Sequence, residues 1–438
     1  MRIAFPFSLL AFLLSGAPII AADTTRFSAK GRQVLLDDQR FFMRGVCYQP
    51  TPIGEDPASS QAHGDYYTDE YKVLYERDLT NLRAIGVNTV RNYAWNVKAD
   101  HEHFLDRLWN KGEQPIFLLL NKYISSSTQW TDEAAVEQIL KNYISIAEST
   151  SKHPAVLGYA IGNELNAKAG SEAALWKALD RIAAAIKKIA PDKLVTVPLI
   201  DRLDDVRTND KVMEHLDCWS LQIYRGATFG RLFRDYQRAS EKPLFITEFG
   251  IDAFDTNKGA EQADNAREQA EVAESLGRQL ENERDVVSGG CLFSYSDEWW
   301  KAAGSPSEHD GGGHKNTAFP DGQMNEEWFG LFRVRDDGDK PDILEPRAAV
   351  ERLKKLWSPA ARARAASPAP RTGVLVPERD WTNSEGKKLR AILVSIGADG
   401  LGVFRRPDGS RFDYSVSKLS PEDQQVIEKA SNIQKPGQ

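Results

Sequence analysis

The amino-acid sequence predicts a (β/α)8 barrel followed by a small all-β domain, and three observations point that way. From residue 41 to residue 357, short apolar strand-like runs alternate with longer amphipathic ones, as parallel strands joined by helices do. The strand-like runs number eight, which is the number that closes this kind of barrel. A doubly wound open sheet shares the alternation, but no Gly-rich nucleotide turn follows the first run here. After residue 371 the pattern changes to short alternating runs set off by turn residues, which suggests a β-barrel of SH3-like size.

In chain order, residues 1–22 have the form of a secretory signal peptide. Met1-Arg2 gives a minimal positive start, residues 3–14 are largely apolar, and Ala21-Ala22 offers a cleavage site. The apolar run is too short for a stable anchor, so the mature protein is expected to be exported, to a periplasm or beyond, with no membrane span. The barrel is expected over 23–357. Its strands are placed at 41–47, 87–93, 115–120, 156–161, 194–198, 218–224, 244–247 and 290–295, with helices at 70–85, 131–149, 171–189, 229–239 and 260–279. A long connection, 296–346, follows the eighth strand. Loops of that length in a compact domain are usually functional, and this one would overhang the end of the barrel where the strands finish. Residues 358–371, rich in Ala, Pro, Arg and Ser, form a linker. The small domain, 372–438, holds runs at 389–396, 400–405 and 411–416, a Pro407-Asp408-Gly409 turn, and a closing helix. Ser420 caps that helix and Pro421 takes its first position.

The composition, 41% hydrophobic and 27% charged over 438 residues, is that of a globular protein large enough for a substantial core. A net charge of −7 argues against nucleic acid as the main partner. Cys47, Cys218 and Cys291 are widely spaced, without metal-ligand spacing, and each lies in an apolar run. They are expected as buried thiols, and a Cys47–Cys291 bridge is not expected. His309, Asp310 and His314 share a Gly-rich loop and are not taken as metal ligands.

The chemistry is carried by two glutamates. Gly158-Tyr159-Ala160-Ile161-Gly162-Asn163-Glu164 and Pro243-Leu244-Phe245-Ile246-Thr247-Glu248-Phe249-Gly250 each end an apolar run on a carboxylate, at the fourth and seventh strands. Catalytic residues of such barrels project from these strand ends. A pair of carboxylates is what retaining glycoside hydrolysis requires, one protonating the leaving oxygen and the other attacking the sugar carbon. Neighbours must hold the two in opposite protonation states. Glu164 and Glu248 are therefore the catalytic candidates. Asn163 is placed to hold a sugar hydroxyl, Arg91 and Tyr224 to hydrogen-bond Glu248, and Trp299 or Trp300 to stack beneath a sugar. Tyr48 and Tyr93 complete the expected substrate-binding set. No cofactor or metal is needed, because two carboxylates suffice.

These motifs, together with Val90-Arg91-Asn92-Tyr93, resemble those of the clan A glycoside hydrolases over about residues 38–357. Within the clan, Phe42-Met43-Arg44-Gly45-Val46-Cys47-Tyr48-Gln49-Pro50 and Ile85-Gly86-Val87-Asn88-Thr89-Val90-Arg91 are similar to the fungal β-1,3-glucanosyltransferases. The resemblance implies Glu164 as acid/base, Glu248 as nucleophile, and a β-glucan-type oligo- or polysaccharide as substrate. It leaves open whether water or a sugar accepts the glycosyl group. The chain departs from that family at Asn92, at Thr247 and at Phe249, and its three cysteines do not match the family's disulfides. Arg379-Asp380-Trp381-Thr382, the 405–409 turn and Leu419-Ser420-Pro421-Glu422-Asp423-Gln424 resemble the first homology domain of the Sla adaptor proteins, which implies a protein or cell-envelope partner for the C-terminal module. The competing reading is a non-catalytic carbohydrate-binding or envelope scaffold built on the same barrel.

Overall fold

The structure, a computed structural model, describes residues 24–301, 304–336, 338, 341–361, 375–396, 401–407 and 411–433. The expected signal peptide, residues 362–371 of the expected linker and the tip of the Pro407-Asp408-Gly409 turn lie outside the described residues. One parallel sheet of nine strands dominates: Met43–Cys47, Thr89–Arg91, Phe117–Lys122, Val156–Ile161, Leu194–Thr196, Pro198–Ile200, Trp219–Ile223, Leu244–Phe249 and Val287–Leu292. The two ends of its strand order, Leu194–Thr196 and Pro198–Ile200, are separated in sequence by Val197 alone. One half pairs with the fourth strand and the other with the sixth. They are the two halves of a broken fifth strand, and the sheet closes around that break as an eight-stranded barrel. The fourth, seventh and eighth strands are buried along their whole length, as parallel strands covered on both faces must be.

The outer ring is formed by helices Lys72–Ile85, Glu102–Trp109, Glu133–Thr150, Ala173–Ile189, Leu203–Asn209, Leu232–Tyr236, Ala263–Asn282 and Ala348–Leu356. Ala173–Ile189 shows why these segments fold as they do. Leu175, Trp176, Leu179, Ile182, Ala183 and Ile186 recur at spacings of one, three and four and are buried, while Lys187 and Lys188 sit in the last turn, where the helix dipole favours cations. Helix Glu133–Thr150 is started by Asp132, whose carboxylate accepts from the Ala134 N–H at 2.9 Å. Losing such a cap costs ~1 kcal/mol.

Three features depart from the expectation. The eighth strand lies at Val287–Leu292 rather than 290–295, because Val287-Ser288-Gly289 already belongs to the strand. A Cβ at Gly289 would sit 2.0 Å from the Met43 carbonyl, and one at Gly290 would sit 2.3 Å from the Ile246 carbonyl, so both neighbouring strands approach too closely for a side chain. The helix expected over 229–239 is reduced to Leu232–Tyr236. An unexpected antiparallel sheet, Phe27–Lys30, Gln33–Leu36 and Gln39–Phe41, precedes the barrel. Its Phe27 and Phe41 meet Phe117, at the start of the third strand, edge-on at 5.1 and 5.6 Å, covering the end of the barrel opposite the glutamates.

The C-terminal residues form a four-stranded antiparallel sheet, Val376–Thr382, Lys388–Ile396, Leu401–Arg405 and Arg411–Ser415, followed by helix Pro421–Ile433. It has its own core of Val376, Trp381, Ala391, Leu393, Phe404, Leu419 and Ile427. The Ser420 hydroxyl accepts from the Asp423 N–H at 3.3 Å, an N-cap bond. The three cysteines are free thiols and all are buried. Among the described residues no helix is long and apolar enough to cross a membrane.

Candidate active site

The seventh strand carries an extra residue where it passes between its neighbours. Against the sixth strand, Leu221 pairs with Ile246 but Gln222 pairs with Glu248. Against the eighth, one residue separates Gly290 from Leu292 where two separate Ile246 from Phe249. Thr247 is therefore bulged, and a bulge re-aims the side chains beside it. Here it brings Glu248, only 7% exposed, into a ring of donors. Its Oε1 accepts from Arg91 Nη1 at 2.7 Å, the Tyr93 hydroxyl at 2.7 Å and Gln222 Nε2 at 2.8 Å, and its Oε2 accepts from the Tyr224 hydroxyl at 2.8 Å. Charge-assisted bonds of this kind suit an anion. Arg91 is fully buried at the end of the second strand and also donates to the Thr247 carbonyl at 3.2 Å and to Asn163 Oδ1. Burial works against its charge, but Tyr93 and Glu248 outweigh that and leave its pKa above the ordinary arginine value.

Glu164 lies three residues beyond the fourth strand, in the left-handed region at φ 53°, with Gly162 also left-handed at φ 65°. These two residues turn the chain sharply, and the Glu164 N–H donates to the Pro198 carbonyl at 2.9 Å, on the second half of the broken fifth strand. The Glu164 carboxyl is pushed up to about 7, chiefly by burial and then by the charge of Glu248, with Arg91 and Lys301 opposing. A carboxyl that keeps its proton near neutrality can act as a general acid. Asn163 Oδ1 accepts from Gln222 Nε2 at 2.6 Å as well as from Arg91. Its amino group is left without a partner among the described residues, free to donate to a sugar hydroxyl.

Trp299 and Trp300 stand in the connection after the eighth strand. Trp299 stacks on His309 at 4.7 Å, and His309 stacks in turn on Trp328 at 3.5 Å. One face of Trp299 is thus already covered. His309, buried between the two indoles, is pulled down to about 4. Beside Trp300 lies a buried ionic group in which Lys301 Nζ is 3.0 Å from Glu326 Oε2 and 3.7 Å from Glu298 Oε2. Asp297 anchors the same connection through Arg347, at 2.6 Å, with Arg347 also paired to Glu261.

The structure thus gathers Arg91, Tyr93, Asn163 and Tyr224 around the two glutamates and sets Trp299 and Trp300 in the connection that follows the eighth strand. Tyr48 is the departure. It is fully buried, its hydroxyl donates to Asp78 Oδ2 at 2.9 Å, and its ring packs on Tyr67 and Tyr295. That hydroxyl serves the core, not the glutamates. Gln222 was not anticipated, although it stands two residues before Tyr224 as a lone amide in an apolar strand, and alternation puts both on one face. Glu298, Lys301 and Glu326 were also missed, because nothing local in a long irregular connection says which charges turn inward. Among the described residues no group of three or more His, Cys, Asp or Glu is arranged to hold a metal ion.

Glutamates after the fourth strand and on the seventh of a (β/α)8 barrel are the arrangement that the clan A resemblance implies. Comparison with known proteins bears out the narrower resemblance read from the motifs: residues 17–230 match the model of the glucanosyltransferase family. The chain is 25% identical over 313 residues to the 1,3-beta-glucanosyltransferase GAS5 of Saccharomyces cerevisiae, covering 66% of this chain and 60% of that protein. It is 26% identical over 301 residues to 1,3-beta-glucanosyltransferase gel1 of Aspergillus fumigatus, covering 64% and 62%. The chain thus spans about three-fifths of the length of these curated relatives. Among solved structures, a Saccharomyces cerevisiae Gas2p mutant in complex with laminaritetraose and laminaripentaose shares the fold at TM-score 0.53 and 18% identity, covering 77% of this chain and 68% of that one. A β-D-glucuronidase of Dictyoglomus thermophilum shares it at TM-score 0.55 and 16% identity, covering 76% and 54%.

Proposed function

We propose that this chain is a retaining β-glycoside-active enzyme that transfers or hydrolyses glycosyl units of a β-1,3-glucan-type polysaccharide. The observation that carries the reading is the contrast between two nearby glutamates, Glu248 bound by four donors and Glu164 buried with a carboxyl at about 7. Glu248 attacks the anomeric carbon while Glu164 gives its proton to the departing glycosidic oxygen, leaving a glycosyl ester on Glu248. Glu164, now a carboxylate, takes a proton from the incoming water or sugar hydroxyl as that oxygen displaces the ester. The Asn163 amino group holds a hydroxyl of the reacting sugar. Tyr224 and Tyr93 stabilise the Glu248 carboxylate as it leaves, and Trp299 and Trp300 contribute apolar surface along the glycan.

The relatives' names and the laminari-oligosaccharides in the Gas2p structure support a β-1,3-glucan and a sugar acceptor. The protein acts after export, its first 22 residues being removed. The residues beyond 372 dock it to a protein or to the cell envelope without taking part in the chemistry.

Mass spectrometry of products from end-labelled β-1,3-gluco-oligosaccharides tests the proposal. Products longer than the substrate are expected. Shorter products alone would make the enzyme a hydrolase. No turnover on β-1,3-, β-1,4- or β-1,6-linked panels, unchanged in Glu164→Gln and Glu248→Gln, would leave the barrel a binding scaffold.

A further inference from the structure

Lys301 is held in the connection after the eighth strand by contacts on three sides. Its side chain is 22% exposed and its ammonium lies 3.0 Å from Glu326 Oε2 and 3.7 Å from Glu298 Oε2. The same ammonium sits over the Phe293 ring at 4.9 Å and the Trp300 ring at 5.2 Å. Phe293 meets Tyr224 edge-on at 6.3 Å, and Tyr224 donates to Glu248. A single aromatic ring therefore separates the ammonium from the group that binds the nucleophile candidate. Glu298, only 3% exposed, has an Oε2 without a hydrogen-bond partner among the described residues and turned towards that ammonium.

We propose that Lys301, clamped by Glu326 and facing Glu298, is a positioning residue whose charge governs when Glu164 holds its proton. The inference rests on the acid/base role given to Glu164 above. The charges that act most on Glu164 come from three elements: Arg91 of the second strand, Glu248 of the seventh, and Lys301 and Glu326 of the connection after the eighth. Lys301 in turn faces Glu298, Glu326 and Glu248, and Glu326 faces Lys301 and the more exposed His314, 3.1 Å away. Burial alone would raise Glu326, but Lys301 and His314 hold it below the usual glutamate range. The connection therefore presents a fixed cation and a fixed anion to Glu164. The cation favours loss of the proton and the anion favours its retention, so the two act with opposite sign on one group.

That opposition separates the proposal from a structural role. In full-length protein carrying 13C-labelled glutamate, the Glu164 carboxyl is identified by its loss in Glu164→Gln and titrated directly, without substrate. Lys301→Met is expected to move that titration up, and Glu326→Gln to move it down, each by ~1 pH unit. Lys301→Arg is expected to restore it, and the double variant to fall between the singles. With a β-1,3-gluco-oligosaccharide, the basic limb of kcat/KM should follow in the same directions, because Glu164 must be protonated to act as acid. Thermal melts report folding, and if Lys301→Met does not fold, Glu326→Gln decides alone. Shifts in the same direction, or an unmoved Glu164 in a folded variant, overturn the proposal. A Glu164 titration that moves as expected in a protein that turns over no glycan would instead overturn the enzymatic reading while leaving this electrostatic one intact.

Discussion

The floor of the barrel mouth and the connection that overhangs it treat the same side chain in opposite ways. On the seventh strand, Glu248 is buried but accepts four hydrogen bonds from Arg91, Tyr93, Gln222 and Tyr224. Along the overhang, Glu298 is buried with one distant cation and an unpartnered oxygen, and burial pushes it up to about 7. Glu164, between the two regions, is also pushed up to about 7. Burial by itself makes a carboxyl hold its proton, and only a supply of donors makes the same burial tolerable to an anion. On the proposed roles, what distinguishes the nucleophile from the acid is the strand ends that surround it: Arg91, Gln222 and Tyr224 all stand at or next to the ends of regular strands, where their positions are fixed.

If that division is right, Glu248→Gln should abolish turnover on every substrate, by ~10⁴-fold or more. Glu164→Gln should cost ~10²–10⁴-fold on glycans and much less on an aryl glycoside whose leaving group needs no proton. Steady-state kinetics on both substrate types checks the pair, and equal losses on the aryl glycoside would break the comparison. Next comes Arg91→Met, which strands Glu248 beside an apolar side chain. Removing one partner of a buried ion pair costs ~3–5 kcal/mol, so a loss of that size in denaturant melts is expected. Tyr224→Phe removes one bond to a charged acceptor, worth ~1.5–3 kcal/mol, and should lower kcat by ~10–100-fold with little change in fold. The smallest effect, taken per pH unit, belongs to Glu298. Its carboxyl sits at about 7 in the folded protein, above its unfolded value of about 4.3. The stability it contributes is full below the unfolded value, declines as pH rises, and is gone once pH passes the folded value. Glu298→Gln should therefore flatten the fall in stability between about pH 4.3 and about pH 7, by at most ~1.4 kcal/mol per pH unit.

Much of this was legible in the residues, for physical reasons that also mark the limits. The fourth strand was predicted at its observed bounds, Val156–Ile161, because a strand buried on both faces is an unbroken apolar run that stops where burial stops. The eighth strand, expected from Gly290 onward, starts at Val287, because a glycine pair carries no strand signal in sequence, whereas here Gly289 and Gly290 admit the backbones of both neighbouring strands. Glu164 and Glu248 could be found because each ends such a run. Tyr48 ends one too, yet its hydroxyl is taken by Asp78, a partner thirty residues away that no local pattern reveals. Lys301 and Glu326 lie in a connection where neither period applies, and only the closed fold brings them together.

The extra residue at Thr247 makes the chemistry of this barrel a matter of parity. Side chains along a strand alternate between the inside of the sheet and the helices outside it, and a shift of one residue exchanges the two sets. With Thr247 bulged, Glu248 stands opposite Gln222. Were Thr247 paired with Gln222 in regular register instead, Glu248 would fall opposite Ile223 and its carboxylate would face the helices. A single-codon insertion between Thr247 and Glu248 would keep every side chain of the donor ring and move the carboxylate one position along the strand, away from it, whereas an insertion in the overhang would merely lengthen a loop. A protein with that insertion that folds but has lost turnover would show that the reading frame of the strand, as much as the identity of its glutamate, is what selection has to preserve.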